Sequence, residues 1–146
     1  MRLIVQRTTG AQLWIDNKLY SETKSGLMVL LGTKTGDNRQ NCEKLADKLI
    51  NLRIFEDDDG KMNLSALDTG ADIMIVSQFT LYADTRKGRR PAFTDALEPV
   101  KAEQLYDYFI DLVRKSGLNV QTGVFGAKMD IKFNNDGPVT IILEHE

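Results

Sequence analysis

The apolar run Ile73-Met74-Ile75-Val76 passes without a turn into Ser77-Gln78-Phe79-Thr80-Leu81. No other stretch limits the fold as strongly. Four to eight apolar, mostly β-branched residues between turn signals read as a strand covered on both faces. Such a strand normally ends in a turn where its apolar residues stop. Here two hydroxyls, an amide and an aromatic ring follow at once. Leaving such polar groups buried and unpaired costs about 1–3 kcal/mol each. They are therefore either paired in the core or line a site, and residue type alone leaves both readings open. The fold must seat a central strand over residues 72–81.

A second apolar run, residues 27–31, opens after Gly26 and closes at Gly32. It reads as another strand buried on both faces. Residues 1–7 and 139–143 also read as strands. Residues 12–16 and 18–23 flank Asp16-Asn17, a pair suited to a tight hairpin turn. Cys42, Leu45, Ala46, Leu49 and Ile50 recur at i, i+3, i+4, i+7 and i+8, one face of a helix. Asp37 is a fitting N-cap for it. Pro99 suits the first turn of a second helix, whose apolar face is Leu105, Phe109, Leu112 and Val113 and whose stop is Gly117. Residues 52–55, 119–124 and 130–133 read as short strands, and 33–36, 62–70 and 83–94 as loops. The acidic stretch 56–60 lacks the alternating oxygen ligands and distal glutamate of an EF-hand, and reads as a solvated turn. About eight strands and two helices make one α+β domain over residues 1–146, with helices packed on sheet.

The histidine and cysteine count narrows the chemistry. Cys42 is the single cysteine and His145 the single histidine. One chain can form neither a disulfide within itself nor a Cys/His zinc site. A Ser-His-Asp or Cys-His arrangement would rest on a histidine next to the last residue. Cys42 lies on the apolar helix stripe and reads as a core thiol. No metal or cofactor is expected, and any catalysis must run with little side-chain base chemistry or borrow it from the substrate. The longest apolar run is far too short to cross a bilayer, and only three apolar residues follow Met1-Arg2, so no signal peptide is read. A cytoplasmic protein is the expectation. A net charge of −2 does not describe a general polyanion binder. Yet four of the five residues 86–90 are basic: Arg86, Lys87, Arg89 and Arg90. They are either a solvated loop or contacts for phosphates.

Three stretches together resemble one family. Ser77-Gln78-Phe79-Thr80 looks like its first signature and Asn135-Asp136-Gly137-Pro138-Val139-Thr140 like its second. Residues 81–91 match between them, and the similarity extends through residues 51–55 and 123–127. The family is the D-aminoacyl-tRNA deacylases. Gln12-Leu13-Trp14-Ile15 and Asn134 depart from its pattern without touching either signature.

The resemblance implies a β/β/α layered fold with two sheets and helices on one side. It implies a homodimer that hydrolyses the ester between a D-amino acid and the 3′-terminal adenosine of tRNA. The Gly137-Pro138 bond would be cis, and this turn would enter the partner's pocket beside Ser77, Gln78, Phe79 and Thr80. Its two carbonyls would capture the substrate ammonium. A D-residue would turn its Cα hydrogen to that wall, whereas an L-side chain would strike it. Glycine, having no side chain, would pass. Phe125 and Met129 match positions that line the adenosine pocket, although both also fit a core. Arg7 matches a position that braces the Gly-Pro turn, although a surface arginine reads the same way. The residues 86–90 would meet phosphates near the acceptor end.

For the chemistry, the backbone N–H groups near Phe79 and Thr80 are candidates to stabilise an oxyanion. Thr80 is a candidate nucleophile, but the sequence offers no base to activate it. The favoured route has the ribose 2′-hydroxyl orient or activate water, with Ser77 and Gln78 positioning ester and ribose. Two other functions fit the same residues: a non-enzymatic module that binds an RNA 3′ end, and a small esterase that acts on a metabolite through Thr80.

Overall fold

A computed structural model describes residues 1–146. Its central sheet has the order β10-β1-β4-β7-β8: β1 (Arg2–Thr8), β4 (Gly26–Gly32), β7 (Asp72–Ser77), β8 (Val120–Thr122) and β10 (Thr140–Glu144). β1 runs antiparallel to both of its neighbours, while β4, β7 and β8 are parallel. A second, antiparallel sheet has the order β3-β2-β9, built from β2 (Ala11–Ile15), β3 (Lys18–Thr23) and β9 (Asp130–Phe133). A small ribbon joins β5 (Phe55–Glu56) to β6 (Met62–Leu64). The helices are α1 (Arg39–Ile50), α2 (Ala66–Thr69) and α3 (Pro99–Arg114).

Side-chain alternation along β4 and β7 sorts the core into two layers. Leu27, Val29, Leu31, Ile73 and Ile75 join Leu3 and Val5 against Cys42, Leu45, Leu49, Phe109 and Val113 of the helices. Met28, Met74 and Val76 point the other way, against Ala11 and Leu13 of the second sheet. Small sheet, large sheet and helices thus stack as three layers, the β/β/α arrangement that was expected. The two long apolar runs are buried on both faces because they are sandwiched between the other two layers.

The boundaries differ from expectation at four places. Asn38, not Asp37, caps α1: its side chain accepts from Gln40 N at 2.9 Å, and Asn41 Oδ1 accepts from Asn38 N at 2.8 Å. Asp37 instead accepts from Lys34 N at 2.7 Å and pairs with the buried Met1 ammonium. Of residues 52–55 only Phe55 is in a strand, which runs on to Glu56, and the expected loop 62–70 holds β6 and α2, the latter capped by Ser65. The central strand stops at Ser77, and Phe79–Tyr82 forms a 3-10 turn. The Asp16-Asn17 turn is as expected, with both residues left-handed at φ 50° and 60°, the backbone of a type I′ hairpin.

Candidate active site

Gly32 explains why the strand breaks where it does. A Cβ there would lie 3.0 Å from Leu81 Cβ and 3.1 Å from the Gln78 carbonyl oxygen. A side chain there would press the 3-10 turn away from the end of β4 by a few tenths of an ångström. Gln78 N donates to the Leu31 carbonyl at 2.7 Å, which carries the parallel pairing one residue past β7. The turn then swings Phe79 and Thr80 outward, and both are exposed. No side chain caps its start, so the first N–H groups of the turn, on Phe79 and Thr80, have no acceptor within it. The Gln78 side-chain amide donates to Thr80 Oγ1.

Beside this turn lies a cavity of about 260 Å³. Ser77, Gln78 and Phe79 form one side of it, and Phe125 and Met129 another. Both were expected in a pocket or in the core. Phe125 does both, with its ring 6.0 Å from that of Tyr106. Sequence reasoning missed Thr33, Ala102 and Tyr106, which also line it. Tyr106 donates its hydroxyl to the Ile75 carbonyl at 2.8 Å, and burial pushes its phenol above the ordinary tyrosine range. It is the only ionisable side chain in the lining. A tyrosine amid the apolar positions of α3, at a spacing that points to β7, is the signal that could have found it.

Thr80, Arg7, Gly137 and Pro138 do not line this cavity. The Gly137-Pro138 peptide bond is cis, and both residues are exposed. Gly137 has φ 124°, a region that disfavours any side chain, and a Cβ there would lie 3.1 Å from an Arg7 guanidinium nitrogen. Arg7 itself is 7% exposed. It pairs with Asp136 at 3.1 Å and Glu56 at 3.5 Å, and donates to the Ile54 carbonyl at 2.8 Å. Asp136 N donates to the Arg7 carbonyl at 2.8 Å, so side chain and backbone both hold the turn. This arginine is a strut inside the molecule, not a surface residue.

Asp84 and Ala92 pair across the base of the basic loop at 2.7 and 2.9 Å. Phe93, the next residue, sets its ring edge-on to Phe79, with centroids 5.0 Å apart. The loop is therefore rooted at the mouth of the cavity. Arg86 is held by Asp84 through two bonds of 2.8 Å, which keep the Asp84 carboxyl well below the usual range. Lys87, Arg89 and Arg90 are exposed and form no ion pair. His145 does not line the cavity: its ring nitrogen Nδ1 faces Asn41 Nδ2 at 3.3 Å.

A family model described as D-Tyr-tRNA(Tyr) deacylase matches residues 4–144. A D-aminoacyl-tRNA deacylase of Syntrophomonas wolfei is 51% identical over 146 residues, covering 100% of this chain and 98% of the relative. One from Fervidobacterium nodosum is 49% identical over 144 residues, covering 99% and 97%. Among solved structures, one described as c-Myc DNA Unwinding Element Binding Protein is similar with a TM-score of 0.94 at 39% identity, covering 100% of this chain and 99% of that one. Fold and matches together define a hydrolase of the aminoacyl-tRNA ester bond. The chain belongs to the D-aminoacyl-tRNA deacylase family. A purely binding module is thereby set aside. No helix is long and apolar enough to cross a membrane.

Proposed function

We propose that this chain clears D-amino acids from tRNA in the cytoplasm, acting as a single domain over residues 1–146 that pairs into a homodimer. The observation that carries the chemical part is the lining of the cavity. It holds hydroxyl, amide and aromatic groups but no carboxylate, imidazole, amine or thiol. Such a site can hold an ester that is already activated but cannot strip a proton from a nucleophile. The N–H groups of Phe79 and Thr80 receive the developing oxyanion. Gln78 and Ser77 position ester and ribose, and the 2′-hydroxyl of the terminal adenosine orients the attacking water. Phe125 and Met129 hold the adenine.

Chirality is read by exclusion. The Gly137-Pro138 turn stands away from its own cavity and is braced by Arg7. In the dimer it closes the partner's cavity as a wall that admits a Cα hydrogen and refuses an L-side chain. Arg86, Lys87, Arg89 and Arg90 meet phosphates near the acceptor end. The test is to incubate the protein with D-Tyr-tRNA, L-Tyr-tRNA and Gly-tRNA and follow ester loss. The D-tyrosyl and glycyl esters should disappear while the L-tyrosyl ester persists. Equal loss of both tyrosyl esters would overturn the chiral reading, and inert Gly-tRNA beside full D-activity would overturn exclusion.

A further inference from the structure

We propose that a second cavity, around Trp14, is a nucleotide site for the residue that precedes the terminal adenosine of an RNA 3′ end. The inference rests on the reading that the cavity beside Ser77 takes that adenosine. The second cavity measures about 390 Å³ and shares Met129 with the first. A strand whose last base lies in the first can leave past Met129 into the second, because that side chain belongs to both linings.

The lining suits a nucleotide. Trp14 supplies a flat π-surface, which accepts any base by stacking. Lys132 Nζ stands over the indole face, 5.1 Å from its centre, and 3.8 Å from Asp130 Oδ2; its side chain is 63% exposed, so it can swing off the ring to follow a phosphate and leave the face to a base. Lys128 stands at the same rim, while Asp16, Asn17 and Asp130 offer acceptors to a base edge. Two lysines face two aspartates, so a bare anion gains little here. A base with both donors and acceptors, joined to a phosphate, gains on all sides. The indole N–H has no acceptor within the chain.

The platform is also held rigidly. Trp14 sits directly opposite Asp130 in the pairing of β2 with β9, so the wall is strand rather than loop. The left-handed Asp16-Asn17 turn closes one end.

Every mature tRNA ends in cytidine-cytidine-adenosine, so the probes are adenosine and the dinucleotide CpA. Trp14 is the only tryptophan, and its emission reports on this cavity alone. In calorimetry CpA should bind about five- to a hundredfold more tightly than adenosine. CpA, and not adenosine or inorganic phosphate, should change the tryptophan emission. In Trp14→Leu the ratio of the two affinities should fall to about one, and in Trp14→Phe, which keeps a flat ring, most of it should return. A wild-type ratio near one, a silent tryptophan or a ratio that survives Trp14→Leu would each overturn the proposal. Adenosine binding with no gain for CpA removes this inference alone. Failure of both probes to bind removes the adenosine reading and this inference with it.

Discussion

Thr80 carries a hydroxyl whose oxygen already accepts from the Gln78 amide, and no group in the cavity lining can take its proton. If it only positions the substrate, Thr80→Ala should retain kcat on D-Tyr-tRNA to within about tenfold. A terminal 2′-deoxyadenosine should cost about a hundredfold or more, the scale of a lost acid–base group. Single-turnover assays on both would check this, and a trapped acyl-Thr80 would reverse the assignment. Cys42 yields a second expectation. Burial raises its thiol from the ordinary value near 9 to about 12. In that window the unfolded chain has lost the thiol proton and the folded chain keeps it. Unfolding is then increasingly favoured as pH rises from about 9 towards 12, because the unfolded state binds fewer protons. Urea melts of wild type and Cys42→Ala should converge over that range, and a thiol reagent at pH 8 should leave the native protein unmodified. The site residues were legible unevenly. Ser77, Gln78 and Phe79 announced themselves by interrupting an apolar run. Tyr106 and Ala102 did not, because their place in the lining comes from the packing of α3 on β7, which periodicity does not encode.

Elements were easier to place than their ends. The apolar runs forecast β4 and β7, and the i, i+3, i+4 stripes forecast α1 and α3. The strand read through residue 81 ends at Ser77, because a long-range neighbour decides it: Gly32 leaves the space into which the 3-10 turn folds. Likewise two adjacent capping residues compete at α1, and Asp37 is drawn off by Lys34 N and the Met1 ammonium. The loop between Asp84 and Ala92 shows what an element adds to a charge count. Its pinched base and the Phe79–Phe93 contact fix it beside the cavity, and Arg86 is tied to Asp84. The unpaired Arg89 and Arg90 are the side chains best placed for phosphates. Replacing both by alanine should weaken every tRNA alike. The slope of log affinity against log salt should fall by about 1.4–1.8, the release from two phosphates. An unchanged slope in a filter-binding series would return the cluster to plain solvation.

For the whole molecule, the open part of the central sheet matters most. β10 is an edge strand, and Ile142 stands on it 62% exposed, paired in register with Ile4. The dimer proposed above would seat its second copy on this edge. The wild type should run at the mass of two chains in light scattering, whereas Ile142→Lys should run at the mass of one and lose deacylation with it. A wild type of single-chain mass that still separates D- from L-tyrosyl esters would show that each chain reads chirality alone.

The β1–β10 ladder also has a consequence for how the molecule is made. Arg2 pairs with Glu144 and Gln6 with Thr140, so β1 lies between β4 and a strand that is synthesised long after it. Parallel β4 and β7 must likewise find each other across α1 and α2. Contacts this distant in sequence form slowly, and a strand edge left open meanwhile invites pairing with a neighbouring chain. Nearly the whole chain must be synthesised before its central sheet can close. A D-aminoacyl-tRNA deacylase is thus itself exposed to translation's pace: a stall after β9 would leave β1 bare along one side.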